Sequence, residues 1–185
     1  MADLEVFVAN EQNDFKLDLS RWMVLARDCL KSENVIGPAE LFVIFCDEAA
    51  SSWLNERFMS KVGPTDVLSF PIASDPIESG RSPDSGGTGP QASLPITPKV
   101  PYLLGDVVIC PSVAAANAKE HSGDRRHDGS LEDEIALLLV HGILHLRGMD
   151  HLEDDEADKM EAREDALLEQ FYRHKGHQER RGKDD

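Results

Sequence analysis

The chain has 185 residues, 41% of them apolar, and a formal net charge of −16 from 35 acidic and 19 basic side chains. That length and apolar content exclude a disordered chain and suit one globular domain with a core of ordinary size. The charge excludes a diffuse basic patch as the main route to nucleic acid, so a polyanionic substrate has to be met by local cations or by a metal.

Cys29, Cys46 and Cys110 are scattered and form no CxxC pair, which argues against a disulfide framework and fits a reducing cytoplasm. Cys46 and Cys110 each end an apolar run and read as core thiols. The N-terminal Met-Ala-Asp-Leu-Glu-Val lacks the positive and apolar regions of a secretory leader. No stretch approaches the ~18 apolar residues of a membrane span. These features predict a soluble, cytoplasmic protein with no membrane partner.

Leu4 to Ala9 reads as a first strand, and Asp14 to Asp18 as a turn with an N-cap. A helix is predicted over Leu19–Leu30, where Leu19, Trp22, Met23, Ala26 and Leu30 recur at helical spacing and Trp22 belongs to the core. Gly37-Pro38 punctuates the loop that follows. Leu41–Cys46 is apolar throughout and predicts a central strand covered on both faces. Asp47 caps a second helix expected to reach Met59. A turn then enters a short strand through Val67, Leu68 and Phe70, and Pro71 places that strand at a sheet edge.

Residues 74–101 hold six of the ten prolines with no periodicity, the composition of a mobile surface insertion. Leu103–Cys110 is the fourth strand, and Pro111 opens a short helix to about Glu120. Glu132–Leu146 predicts a helix that is apolar all round in its middle, hence buried. A long helix follows over about Glu153–Phe171, acidic outside, with Met160, Leu167, Leu168 and Phe171 available for packing. The tail from His174 is polar, and His121, His127, His174 and His177 sit in charged sequence and read as solvated.

The functional signal is His141-Gly142-Ile143-Leu144-His145-Leu146-Arg147-Gly148-Met149-Asp150-His151, which holds three of the seven histidines. His141 and His145 have i, i+4 spacing and project from one helix face. On so apolar a helix each would need a buried partner, because an unpaired polar group costs ~1–3 kcal/mol, and a shared metal meets both needs. Gly148 can end the helix in a left-handed turn and let the chain bring His151 back to the pair. Three imidazoles with an open fourth position describe a catalytic zinc site, one ion per chain, suited to hydrolysis of an acyl or phosphoryl ester. The spacing matches that of metzincin peptidases, which place a general-base Glu directly after the first histidine. Here that position is Gly142, which argues against peptidase chemistry. Asp150 is positioned to orient a ligand from behind.

This histidine stretch resembles the signature of the YbeY family of metal-dependent endoribonucleases that serve as rRNA maturation factors. Two further blocks agree, in the family's order: Leu54-Asn55 leading to Gly63-Pro64-Thr65-Asp66-Val67-Leu68-Ser69-Phe70-Pro71, and Leu104-Gly105-Asp106-Val107-Val108-Ile109. The resemblance spans roughly Leu41–Phe171 outside the insertion. It implies an α/β fold with a small mixed sheet, which joins the reading from the residues: one domain over 1–175, about four strands flanked by helices, a buried histidine helix, a long C-terminal helix, and a polar tail over 176–185. It implies zinc on His141, His145 and His151, cleavage of single-stranded RNA, and a role in 16S rRNA 3′-end maturation and ribosome quality control, with rRNA and ribosomal small-subunit proteins as partners.

Two positions depart from the family pattern. Phe58-Met59 stands where the best-known members have Tyr-Arg, and Met149 stands where tyrosine is usual. Arg57, Lys61 and Arg147 are the candidate phosphate contacts, with Arg57 the candidate for the missing catalytic cation. Asp66 and Asp106 read as residues that order turns and loops. The competing readings are an RNA-binding assembly factor with a closed structural zinc site, a metzincin-like peptidase, and a hydrolase of small esters.

Overall fold

A computed structural model of the chain describes residues 4–35, 37–72, 102–121, 128–149 and 154–173. The 74–101 insertion, the tail from His174, His127, Asp150 and His151 lie outside the described residues. The elements follow in the order β1 (Leu4–Asn10), α1 (Leu19–Ser32), β2 (Ala39–Phe45), α2 (Glu48–Leu54), β3 (Val67–Pro71), β4 (Tyr102–Ile109), α3 (Pro111–Glu120), α4 (Leu131–Leu146) and α5 (Asp154–Leu168).

The strands form one mixed sheet in the order β1-β2-β4-β3. β1, β2 and β4 are parallel, and β3 runs antiparallel to β4 at the edge. Pro71 ends that edge strand opposite Gly105, where its missing N–H costs the sheet little. Capping residues start the helices: Asp18, Asp47 and Ser130 accept from the backbone N–H of Arg21, Ala50 and Asp133. Pro111 opens α3 as expected.

The main core joins one face of the sheet to α1, α4 and α5. Trp22, Leu41, Val43, Phe45, Val107, Ile109, Leu139, Ile143 and Leu167 are all fully buried or nearly so. β2 is central, but its second face is only partly covered, by the packing of Ile44 against a smaller cluster. Ala39, Leu41, Val43 and Phe45 are buried, whereas Phe42 remains 36% exposed and stacks on Phe7. The large helices all dock on one side; the other side carries a smaller cluster near β3, built from Cys46, Leu68, Val108 and Cys110 with Leu54 and Val113. An all-apolar strand is therefore no guarantee of two covered faces.

Two glycines let the layers approach. Gly105 sits beside a bulge in β4, where Glu40 faces Leu103 and Leu41 faces Gly105. Its φ is +140°, and a Cβ there would lie 2.2 Å from the Phe70 carbonyl oxygen. Gly142, inside α4, has ordinary helical geometry, but a Cβ would meet Val107 Cγ1 at 2.7 Å and Ser69 Oγ at 3.1 Å. The empty position lets α4 lie close against β4 and β3, and the Ser69 hydroxyl donates to the Gly142 carbonyl at 3.3 Å.

Candidate metal centre and substrate cleft

α4 carries the two described histidines of the signature. Its acidic first turn, Glu132-Asp133-Glu134, suits the helix N-terminus, and Gly148 ends it. Gly148 has φ +84°. Its N–H bonds the His145 carbonyl at 2.9 Å, and Met149 N–H bonds the Leu144 carbonyl at 3.0 Å, the paired bonds of a Schellman turn. The turn has a chemical consequence: it brings the Met149 carbonyl within 3.0 Å of His145 Nδ1.

His141 is held from the other side. Its Nδ1 lies 2.7 Å from Glu164 Oε1, and Glu164 is a buried carboxylate on α5. Each imidazole thus gives its Nδ1–H to an acceptor, which puts the acceptor lone pair of each neutral ring on Nε2. The two Nε2 atoms face each other at 3.0 Å. Two such lone pairs repel unless a cation lies between them, so the donor set fits a divalent metal bound through both Nε2 atoms, with Glu164 and the Met149 carbonyl orienting the ligands. Among the described residues no further His, Cys, Asp or Glu completes a three-ligand group.

The histidines open onto a cleft of about 500 Å³ between the end of α4 and the segment that leads into β3. Asn55, Met59, Lys61, Thr65, Asp66 and Ser69 line its far wall, and Met149 closes the near end. That wall is pinned by polar contacts. Asn55, 5% exposed, donates to the Gly63 carbonyl at 2.8 Å. The Ser51 hydroxyl donates to the Thr65 carbonyl at 2.7 Å and accepts from Thr65 N–H at 3.0 Å. Asp66 accepts from Val67 N–H at 2.7 Å and from Asn117 at 2.9 Å, so it orders the loop as its sequence position suggested.

The candidate cations separate. Lys61 lines the cleft, whereas Arg57 lies over the Trp53 ring and Arg147 stands exposed where α4 ends. Neither arginine is among the cleft-lining residues. Met59 does line it. Asp106 belongs to neither turn nor loop: it lies within β4, in register with Phe42 and Phe70 on the face away from α4. Burial there raises its carboxyl above the usual range.

Cys46 and Cys110 are buried, as core thiols should be. The hydrogen bond from Cys46, with the N–H groups at the start of α3, lowers Cys110 and pushes Cys46 up. His121 is not simply solvated, since its Nδ1 lies 3.0 Å from the buried Glu134.

A model of the family described as Endoribonuclease YbeY matches residues 7–172. The chain belongs to the YbeY family. Proteins named Endoribonuclease YbeY that resemble it include one from Beutenbergia cavernae, 42% identical over 153 residues, covering 83% of this chain and 87% of that one. One from Acidothermus cellulolyticus is 40% identical over 166 residues, covering 89% and 90%. One from Mycolicibacterium gilvum is 38% identical over 168 residues, covering 91% and 83%. A solution structure from Thermotoga maritima, 22% identical, aligns over 94% of this chain and 93% of that one with a TM-score of 0.53, and shares the fold.

In this YbeY chain two parts of the site went unread in the sequence. One is the Met149 carbonyl, a backbone group that no side-chain motif advertises. The other is Glu164, and for it a signal existed. Met160, Glu164, Leu167 and Leu168 share one helical stripe, so a carboxylate sits on the face that α5 buries. A buried carboxylate needs a partner.

Proposed function

We propose that the chain is a zinc-dependent endoribonuclease that cuts single-stranded RNA, with one ion per chain held by His141, His145 and His151. The observation that carries the reading is the pair of Nε2 atoms 3.0 Å apart at the mouth of a cleft. Family membership supports phosphodiester cleavage. It also motivates the finer assignment to rRNA maturation, including the 16S 3′ end, and to ribosome quality control in the cytoplasm, with rRNA and small-subunit proteins as partners.

When bound, the metal supplies Lewis-acid polarisation of a phosphoryl oxygen and favours formation of a nucleophile at neutral pH. The chain's own residues do the rest. Glu164 and the Met149 carbonyl hold each imidazole in the tautomer that ligates through Nε2. Lys61 places a positive charge on the cleft wall, where a phosphate of the bound strand meets it. Asn55 and Ser51 keep that wall rigid. Gly142 disfavours peptidase chemistry for a second reason: the position is the contact of α4 with Val107, and a general-base side chain has no room there. The open cleft disfavours a closed structural zinc site.

The test is metal content together with activity. Purified protein should contain one zinc per chain and cut single-stranded RNA, and His145→Ala should lose both. Full zinc occupancy in that variant would overturn the ligand assignment. Inactivity on RNA with cleavage of casein would reverse the substrate class.

A further inference from the structure

Close in sequence to the cleft-lining Asn55 and Met59, the chain holds two large rings in water. Trp53 is 58% exposed and Phe58 56% exposed. Rings of this size normally fill a core or an interface, so their exposure calls for a reason. They form a cluster: Trp53 and Phe58 meet edge to face with centroids 6.5 Å apart, and Phe58 meets Phe70 of β3 at 5.1 Å. The Arg57 guanidinium lies over the Trp53 ring at 5.4 Å from its centroid.

The backbone explains the grouping. An α-helix was expected to run to Met59, but α2 gives way at Asn55 to one turn of π-helix, Asn55–Met59. Residues five apart then share a side of the helix, which brings Phe58 over Trp53; continuous α-helix would carry it well around the axis. The turn ends at Ser60, with φ +56° and its N–H bonded to the Asn55 carbonyl. Met59 and Lys61, from the same turn and its exit, line the cleft, so the turn that carries Phe58 also supplies cleft wall.

We propose that Trp53 and Phe58 form a stacking subsite for the bases of a single-stranded RNA whose backbone enters the cleft. This rests on the endoribonuclease reading above and deepens it. Three observations choose a nucleobase over a protein partner. Phe58 directly precedes Met59, a residue lining the cleft in which the phosphodiester would be cut. Arg57 adds a cation at the same surface, a combination that suits bases stacked beside phosphates. The chain's charge of −16 leaves little nonspecific attraction for a polyanion, and stacking supplies affinity that does not depend on it. The subsite also gives a physical origin for single-strand preference, because a duplex hides the faces of its bases.

The chain has two tryptophans, and Trp22 is 1% exposed, so quenching by a ligand reports on Trp53. The probe is a short single-stranded 2′-O-methyl oligonucleotide, with an abasic strand of the same length as control. The base-bearing strand should quench emission and the abasic strand should not. Trp53→Ala and Phe58→Ala should each weaken binding about tenfold, and raise KM for single-stranded RNA by a similar factor with kcat little changed. Trp53→Phe should retain most of the affinity.

Equal quenching by the abasic strand, or wild-type affinity in Trp53→Ala, would overturn the subsite. So would self-association of the wild type that Phe58→Ala abolishes without altering oligonucleotide binding, since the face would then be a protein contact. The two readings fail separately. Quenching without any RNA cleavage removes the endoribonuclease and leaves the base-stacking surface. Cleavage with an unchanged KM in both alanine variants leaves the enzyme and removes the surface.

Discussion

Glu164→Gln isolates the charge behind His141. The amide keeps an acceptor near Nδ1 and almost the same shape, so the ring keeps its orientation while the carboxylate's charge is lost. A hydrogen bond to a charged group is worth ~1.5–3 kcal/mol and a neutral one ~0.5–1.5 kcal/mol, a difference of roughly 1–1.5 kcal/mol at the 2.7 Å contact. At 1.4 kcal/mol per decade, that lowers zinc affinity about tenfold. Glu164→Ala removes the acceptor altogether and should reach the far end of the ~10–100-fold range for groups that support a ligand. The assay is zinc competition against a chelator of known affinity, with urea unfolding of the metal-free proteins as the control for stability. A graded loss, Ala worse than Gln, is expected. Equal affinity in wild type and both variants would refute the claim that Glu164 orients a ligand, whatever the activities.

Gly142→Ala pits helix propensity against space. Alanine gains about 1 kcal/mol in a helix interior, but its Cβ meets Val107 Cγ1 at 2.7 Å, and overpacking costs ~1–3 kcal/mol. Urea unfolding should show no net gain and up to about 2 kcal/mol of loss; a clearly stabilised variant would mean that α4 does not lie so close to β4. Asp106 has its carboxyl raised by burial, so the folded state favours the protonated form. Its contribution to stability is present at acid pH and lost as pH rises through the raised value. Asp106→Asn should flatten the stability profile across the carboxylate range, and an unchanged profile would remove Asp106 as its source.

Much of the architecture was legible because local rules govern it. Apolar runs bounded by Gly, Pro and Asp marked the four strands, and capping residues marked the helix starts within a residue or two. The edge position of β3 followed from one proline that cannot donate to a ladder. The spacing of His141 and His145 implied a shared face, and Gly148 implied the turn after them, because helical geometry and left-handed φ are properties of a few consecutive residues.

Tertiary structure decided what depends on distant partners. It paired His141 with Glu164, 23 residues away, and it set Lys61 on the cleft wall while carrying Arg57 onto Trp53. It left Phe42 exposed on a strand whose composition promised burial on both faces. It turned Gly142 from a missing base into the contact between α4 and β4. Hydrophobic pattern and turn chemistry are read residue by residue along the chain. Which carboxylate reaches a buried imidazole, and which face of a sheet a helix covers, are settled only when layers pack and every buried polar group must find its partner.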